Sequence, residues 1–525
     1  MNTKNSPSLK KVKKIGIIGA GISGLVTAKT LREYGFEVVV FEKESEIGGV
    51  WASSRRYPGL TTQNARDTYA FSDFPMPSHY PEWPEGFQVQ EYLSRYAEHF
   101  GIASSIMFNS EVRHIQYDTI FGSWMLRVVR NRGKGSETLD IAVDYLVVCN
   151  GIFSEPFIPS FRGAEEFIAG GGRICHTTDF HSVAESANRN VVIIGFGKSS
   201  CDAASAASAN AQTTTLIARE ILWKIPKRFF NVLNMKYILL TRLGEGLFPY
   251  INLRGADKFL HTIGKPIAKS LLNTVEWAVN RQFYLKQVGL HPVKPLNTIA
   301  RSTVSLASEG FFHAVRTGKI RTIQSAIRRL GKGELELETG EILPADLIIC
   351  GTGFKQVVPF FDEYVTKRIT DDEGNFRLYR SILPASMPRL AFNGYCSSLF
   401  SQLNAEISAL WIAEHLLGSI DVPPEAEMLR EIDKRLLWMQ ERTEGKHAKG
   451  TNIIPFSMHH IDELLQDLNI KPNPMITLKE WLLPISPKNY KTIAEQLRRR
   501  RGTGKSVAEK TSQPMRTYKK SETAV

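Results

Sequence analysis

The sequence predicts an α/β protein with two Rossmann-like dinucleotide-binding domains, the second inserted into the first, and three observations predict it. The segment IGIIGAGISGLVTAKTLREYGFEVVVFEKE, from Ile15 to Glu44, reads as an apolar strand, a glycine turn, a helix and a β-branched strand, one βαβ unit. A similar unit, NVVIIGFGKSSCDAASAASANAQTTTLIARE, runs from Asn190 to Glu220. Two further apolar runs that end in glycine turns, DYLVVCNG (Asp144 to Gly151) and ADLIICGTGF (Ala345 to Phe354), read as strands returning the chain to a sheet edge beside a cofactor.

The first unit is followed by a loop region rich in Tyr, Pro and Phe (Arg56 to Pro84), a helix near Val89 to Phe100 and alternating strands through Ser123 to Arg130. After the second unit the text from Phe229 to about Phe312 is apolar and aromatic with weak periodicity, read as a mostly helical insertion that shapes substrate access. A strand at LAFNGY and a helix at Asn404 to Leu417 resume a regular pattern, followed by polar helices and a basic end.

Composition fits this plan. The chain has 525 residues, 42% hydrophobic and 23% charged, ordinary globular material with room for two or three cores of roughly 100 to 200 residues. No run of signal-peptide length precedes Ile15, and no stretch approaches about 18 uninterrupted apolar residues, so a cytoplasmic protein without a transmembrane span is expected. Cys149, Cys175, Cys201, Cys350 and Cys396 form no C-x-x-C pair and no His/Cys cluster, which argues against a redox disulfide and against a metal site. The net charge of +13 is uneven: from Lys488 onward eleven basic residues stand against three acidic, a surplus of +8. That pattern reads as a solvated, disordered tail over 488–525, with peripheral contact to anionic lipid as the alternative and no nucleic-acid role.

Gly19, Gly21 and Gly24 form G-x-G-x-x-G between strand and helix, with Ala20, Ile22 and Ser23 between them. The first glycine permits the tight turn, the second lets backbone approach a pyrophosphate, and the third allows close packing, while the helix N-terminus faces the phosphates. Glu42 ends the second strand, where a carboxylate accepts hydrogen bonds from ribose hydroxyls and repels the 2′-phosphate of NADP, leaving FAD or NAD. EIGGVW (Glu46 to Trp51), with Gly49, Val50 and Trp51, resembles the GG-x-W stretch of many flavoproteins and selects FAD. The second motif keeps Gly195 and Gly197 but has Ser200 as its third member, so its helix is expected to pack slightly further out, with Ser199 and Ser200 offering hydroxyls to phosphate. Its second strand ends in Arg219, which suits a 2′-phosphate and points to NADPH.

These residues, with YPGLTTQ, FSDFPMP, EYLSRYAEHF, AREILWKIPK, LIICGTGF and AEISALWIAEHLLG in order from Lys14 to about Leu417, resemble the flavin-containing monooxygenase family. The family fingerprint F-x-G-x-x-x-H-x-x-x-Y/F is partly kept: Gly172, His176 and Phe180 fit, and Gly170 stands where the aromatic is expected. Phe180 leans toward N- or S-oxygenation, since Baeyer-Villiger relatives usually close the motif with Trp. The family's active-site T-N pair falls, without gaps, on Thr62 and Gln63, with Asn64 the alternative amide. Gly351, Thr352 and Gly353 of LIICGTGF join the cofactor-binding set, and His176 is implied to position a linker without acid or base work.

The resemblance implies that NADPH reduces FAD, dioxygen adds at the flavin C(4a) position to give a hydroperoxide, and one oxygen passes to an amine nitrogen or thioether sulfur of a small molecule, as in N,N-dimethylaniline oxygenation. Two alternatives stay open, oxygenation of a ketone and a low-turnover flavoprotein that acts as a binding module; a homodimer is also open. The domain expectation is an FAD-binding part over 1–155, an NADPH domain over 156–350 with its insertion at about 229–312, a returning FAD-binding part over 351–440, C-terminal helices over 441–487, and the tail.

Overall fold

A computed structural model of the chain describes residues 12–131, 133, 135–301, 305–445 and 449–501. Two five-stranded parallel sheets organise it. In the first, Lys14–Ile18 lies between Glu37–Phe41 and Tyr145–Val148, with Ile15 opposite both Val38 and Tyr145. Ile106–Met107 forms one edge and Leu390–Phe392, returning from far along the chain, forms the other. In the second, Asn190–Ile194 lies between Thr213–Ala218 and Leu347–Cys350, flanked by Arg321–Gln324 and Arg173–His176. The α/β architecture with two Rossmann-like units is thus present, and the second unit interrupts the first.

The strands Tyr145–Val148 and Leu347–Cys350 correct one expectation. Neither is at a sheet edge; each is sandwiched between two neighbours and buried along its whole length. The physical reason is in their composition, because a strand apolar on both faces belongs inside a parallel sheet whose faces are both covered.

Helices cover those faces. Ile22–Glu33 buries Gly24 through Leu31 against the helix Ser401–Leu416, in which only Ser401 and His415 escape burial. A three-stranded antiparallel sheet, Ser110–Asp118, Ser123–Asn131 and Ser136–Val143, packs on the other side, and its Trp124 donates Nε1–H to the carbonyl of Arg389 at 2.7 Å, tying it to the returning strand.

The segment between Phe229 and Phe312 holds the helices Lys236–Leu239, Arg242–Gly246, Gly255–His261 and Lys265–Phe283. Charge pairs lock it to the C-terminal helices. Arg242 makes a fork to Asp462 (2.6 and 3.0 Å) and reaches Glu480 (3.2 Å), while Glu245 accepts the N–H groups of Met458 and His459 at 3.0 and 2.8 Å. The His459 ring is held at both nitrogens, Nδ1 by Glu245 and Nε2 by Asp257, so both nitrogens donate and the ring is imidazolium.

The chain end departs from the expected solvated tail. Residues 492–500 form a helix that buries Ile493 and Leu497 one turn apart. Arg498 pairs with Glu33 at 2.6 Å, and the Arg501 guanidinium lies 3.7 Å from the centre of the Tyr34 ring. The charge count hid this apolar pair, and Arg498, Arg500 and Arg501 beside it have partners. The rest of the basic segment, 502–525, lies outside the described residues. Among the described residues no helix is long and apolar enough to cross a membrane.

Burial opposes a charge on His459, but Asp257 and Glu245 outweigh it and lift its pKa from 6.5 to about 10. A raised histidine gives stability that is whole below its unfolded value and is lost as pH rises through its folded value. His459→Gln is therefore expected to destabilise the chain by about 3 kcal/mol near pH 6, with the deficit shrinking toward pH ~10. Urea unfolding of both proteins at the two ends of that range checks it, and an equal deficit at both ends refutes the charged clamp.

Candidate functional site

A cavity of about 560 Å³ opens where the two glycine turns meet, and both Rossmann units contribute to its wall. On the first unit, Gly19 takes φ +101°, and a Cβ there would stand 2.7 Å from the carbonyl oxygen of Cys149. At Gly24 a Cβ would lie 1.8 Å from the Gly19 carbonyl oxygen, so helix and turn touch backbone to backbone. The helix begins at Ile22 after Gly21, which supplies no side-chain cap, and its first N–H groups face the cavity lined by Gly19, Gly21, Ile22 and Ser23. An uncapped helix start of this kind suits a phosphate.

Glu42 is buried at the end of the neighbouring strand, where one oxygen accepts the Ala20 N–H at 2.7 Å and the other the Glu44 N–H at 2.9 Å. Burial raises its pKa while these two donors pull the other way. A carboxylate has about four acceptor positions, and two are taken, which leaves capacity for ribose hydroxyls. Ala20 thereby serves to aim Glu42. Gly49, Val50 and Trp51 line the same wall.

Thr62 is fully buried, and its hydroxyl donates to the Asn64 carbonyl at 2.8 Å, shaping the turn that presents the two amides. Both reach the cavity, by different routes. Asn64 is buried and donates Nδ2–H to the Leu399 carbonyl. Gln63 is exposed and accepts the backbone N–H of Leu306 at 3.1 Å, so its side chain bridges from the first domain to the second.

On the second unit, Gly195 has φ +110°, and a Cβ there would be 2.6 Å from the Gly351 carbonyl oxygen. The expected phosphate-facing hydroxyls are half corrected. Ser199 lines the cavity, but Ser200 is fully buried and donates its hydroxyl to the Gly351 carbonyl at 3.1 Å. The third motif position faces the strand end, so a hydroxyl there finds a backbone acceptor before it can find a phosphate. Its bulk is taken up by Gly351, whose Cβ would meet Ser200 Oγ at 2.1 Å. Arg219 stands exposed just past the end of Thr213–Ala218.

Gly351, Thr352 and Gly353 do not line the cavity wall; they knit the crossing between domains. Thr352 donates its hydroxyl to the Phe157 carbonyl, and the Gly353 carbonyl accepts the Phe157 N–H at 3.0 Å and His176 Nε2 at 3.1 Å. Since that carbonyl can only accept, Nε2 carries the proton and Nδ1 accepts from Thr178 N–H at 3.3 Å. Burial lowers the His176 pKa, which keeps this neutral tautomer and fits a positioning role. At Gly170, in place of an aromatic, a Cβ would strike Lys332 Cγ at 2.6 Å, while the buried Phe167 ring lies against Gly172.

The sequence reading passed over Tyr57, Lys198 and Asp202, which meet at the seam between domains: the Tyr57 hydroxyl donates to Asp202 at 3.3 Å and Lys198 pairs with the same carboxylate at 2.7 Å. Lys198 was in plain view inside GFGKSS, whereas nothing in the sequence links Tyr57 to a residue so distant.

A family model described as Flavin-binding monooxygenase-like matches residues 12–491. Flavin-containing monooxygenase 1 of Rattus norvegicus is 26% identical over 515 residues, covering 91% of this chain and 89% of the relative. S-allyl-L-cysteine S-oxygenase from Allium sativum has a similar structure, with TM-score 0.61 at 20% identity and 94% of each chain covered. An oxidized steroid monooxygenase bound to NADP gives TM-score 0.65 at 16% identity, covering 87% of this chain and 98% of that one. At such identities the two structures establish the shared fold.

The Ser200 contact yields a test. Gly351→Ala is expected to cost about 2 kcal/mol through overpacking against Ser200. Adding Ser200→Gly, which removes the clashing hydroxymethyl group, is expected to recover at least half of the loss in thermal melts; no recovery would place the strain elsewhere.

Proposed function

The chain belongs to the flavin-binding monooxygenase-like family, and from that premise we propose that it transfers one oxygen atom of dioxygen to an amine nitrogen or thioether sulfur of a small organic substrate. It is an oxidoreductase that uses FAD, NADPH and dioxygen. The observation that carries the finer reading is the shared cavity: the first glycine motif opens on it together with Lys198 and Ser199 of the second, and two amides line it, one of which spans the domains.

Each residue then has a task. Gly19, Gly21, Ile22 and Ser23 receive the FAD pyrophosphate on backbone N–H groups, and Glu42 holds the ribose. Gly49 to Trp51, which line the same cavity, would border the flavin. Gly195, Gly197 and Ser199 receive NADPH, with Arg219 on the 2′-phosphate. FAD, once reduced, supplies the dioxygen chemistry, and the protein supplies orientation and exclusion of water. Asn64 and Gln63 offer amide hydrogens at the flavin edge of the cavity without offering an acidic proton, which suits an oxidant that must persist until substrate arrives. Gln63 already reaches the second domain at Leu306, so it also holds the seam that faces the nicotinamide.

Anaerobic reduction of the purified protein by NADPH, followed by mixing with dioxygen, tests this directly. A transient absorbing species distinct from oxidised and reduced flavin is expected, together with oxygenated product from N,N-dimethylaniline or a dialkyl sulfide. Asn64→Ala is expected to lower product formed per NADPH by about tenfold or more, with hydrogen peroxide making up the difference, since one positioned donor is worth about 10²-fold or more. Direct return to oxidised flavin with stoichiometric peroxide in the unmodified protein would refute the proposal, and conversion of ketones alone would redirect it to ester-forming oxygenation.

A further inference from the structure

The helix Lys198–Ala207 starts after Gly197, again without a side-chain cap, and its first residue is a lysine that lines the cavity. Lys198 Nζ lies 2.7 Å from both oxygens of Asp202, and the two side chains are only 10% and 3% exposed. Pairs spaced this way on a helix surface are ordinary, but here the carboxylate is buried beside a turn built for phosphates, where an uncompensated negative charge would repel the ligand.

A second lysine is close by. Lys224 is 2% exposed, and it donates to the neutral hydroxyl of Ser305 at 2.7 Å and sits 5.2 Å from the centre of the Phe196 ring, the aromatic inside the glycine turn itself. Burial pulls its pKa down, and Lys198 adds to that effect while Asp202 opposes it. Buried cations are normally matched by anions. Lys198 has that match in Asp202, while Lys224 has only a neutral hydroxyl and burial disfavours its charge, so the turn offers the Lys198 ammonium and the positive end of the helix.

We propose that Lys198 seats the NADPH pyrophosphate, with Asp202 holding it in position until the dinucleotide arrives and Lys224, enclosed behind the cavity wall, supporting the turn without touching the ligand. The proposal rests on the reading of the second motif as the NADPH site and adds to it the residue that meets the diphosphate charge. When Lys198 contacts the diphosphate, Asp202 keeps its hydrogen bond from Tyr57, so its charge stays partnered. The pyrophosphate is common to NADPH and NADH, so the seat governs affinity for both, whereas Arg219 at the far strand end acts on the 2′-phosphate alone.

Equilibrium binding of NADP⁺ and NAD⁺ to the FAD-loaded protein, followed by calorimetry or tryptophan fluorescence, separates these roles without turnover. Lys198→Met is expected to weaken both ligands by at least about tenfold, with their affinity ratio unchanged and a shallower salt dependence. Lys198→Met combined with Asp202→Asn is expected to recover part of that loss, because the stranded carboxylate is gone. Arg219→Gln is expected to weaken NADP⁺ only. FAD content and melting temperature establish that each variant is folded, and Lys224→Met, which removes the buried amine behind the turn, provides a second probe with the same expected direction. Binding of both ligands within about twofold of the unmodified protein in Lys198→Met, or a loss confined to NADP⁺, overturns the seat. If the unmodified chain binds neither ligand, the reading of the second motif falls and the seat with it.

Discussion

Everything in this fold depends on bringing a helix start against a strand end with nothing but backbone between them. At Gly24 a single added carbon would stand 1.8 Å from the Gly19 carbonyl oxygen, and at Gly19 it would stand 2.7 Å from that of Cys149. Those two distances leave no alternative residue without moving the helix Ile22–Glu33, and that helix is the one on which Ser401–Leu416 packs. The cofactor turn and the core of the first domain are therefore one constraint. The second domain solves the same problem differently. It spends the third glycine at position 351, across the sheet, and lets Ser200 hydrogen-bond into the space.

The two domains share one apolar core and are also joined by directional contacts. Gln63 reaches Leu306, Tyr57 reaches Asp202, and His176 holds the Gly353 carbonyl at the linker. None of these is a large apolar surface, while the charge pairs of Arg242 and His459 secure the inserted helices to the C-terminal ones well away from the cavity. The inserted helices are thus held on two sides, by these charge pairs to the C-terminal helices and by Arg228, Asn234 and Lys236 to Glu82 and Asp67 of the first domain.

Local pattern made much of this legible. A β-branched strand, a glycine turn and a helix are consecutive in sequence, so both Rossmann units, and the acid or arginine that ends each second strand, could be read directly. What could not be read depends on residues that are distant in the chain. Whether an apolar strand is central or at an edge is decided by which strand returns beside it, and Leu390–Phe392 returns from beyond the whole second domain. Ser200 looked free to meet a phosphate because the acceptor that claims it, the Gly351 carbonyl, lies 151 residues on. The basic end looked solvated because a charge count does not register two apolar residues one turn apart.

The electrostatics of the two turns differ in sign, and this bears on how one scaffold keeps two dinucleotides apart. At the first turn the buried group is Glu42, an anion whose satisfaction comes from backbone N–H donors and whose remaining acceptor positions face the cavity. At the second, a half-buried Lys198 pairs with the buried Asp202, and an arginine ends the strand. On the proposed reading, a phosphate on the ribose would be repelled at the first position and attracted at the second, while a bare ribose would gain hydrogen bonds only at the first. With a strand, a glycine turn and a helix on both sides, the sorting of cofactors would rest on those side chains. It needs no difference in fold, and it follows that exchanging the sign at one strand end changes which dinucleotide is accepted before it changes whether one is bound.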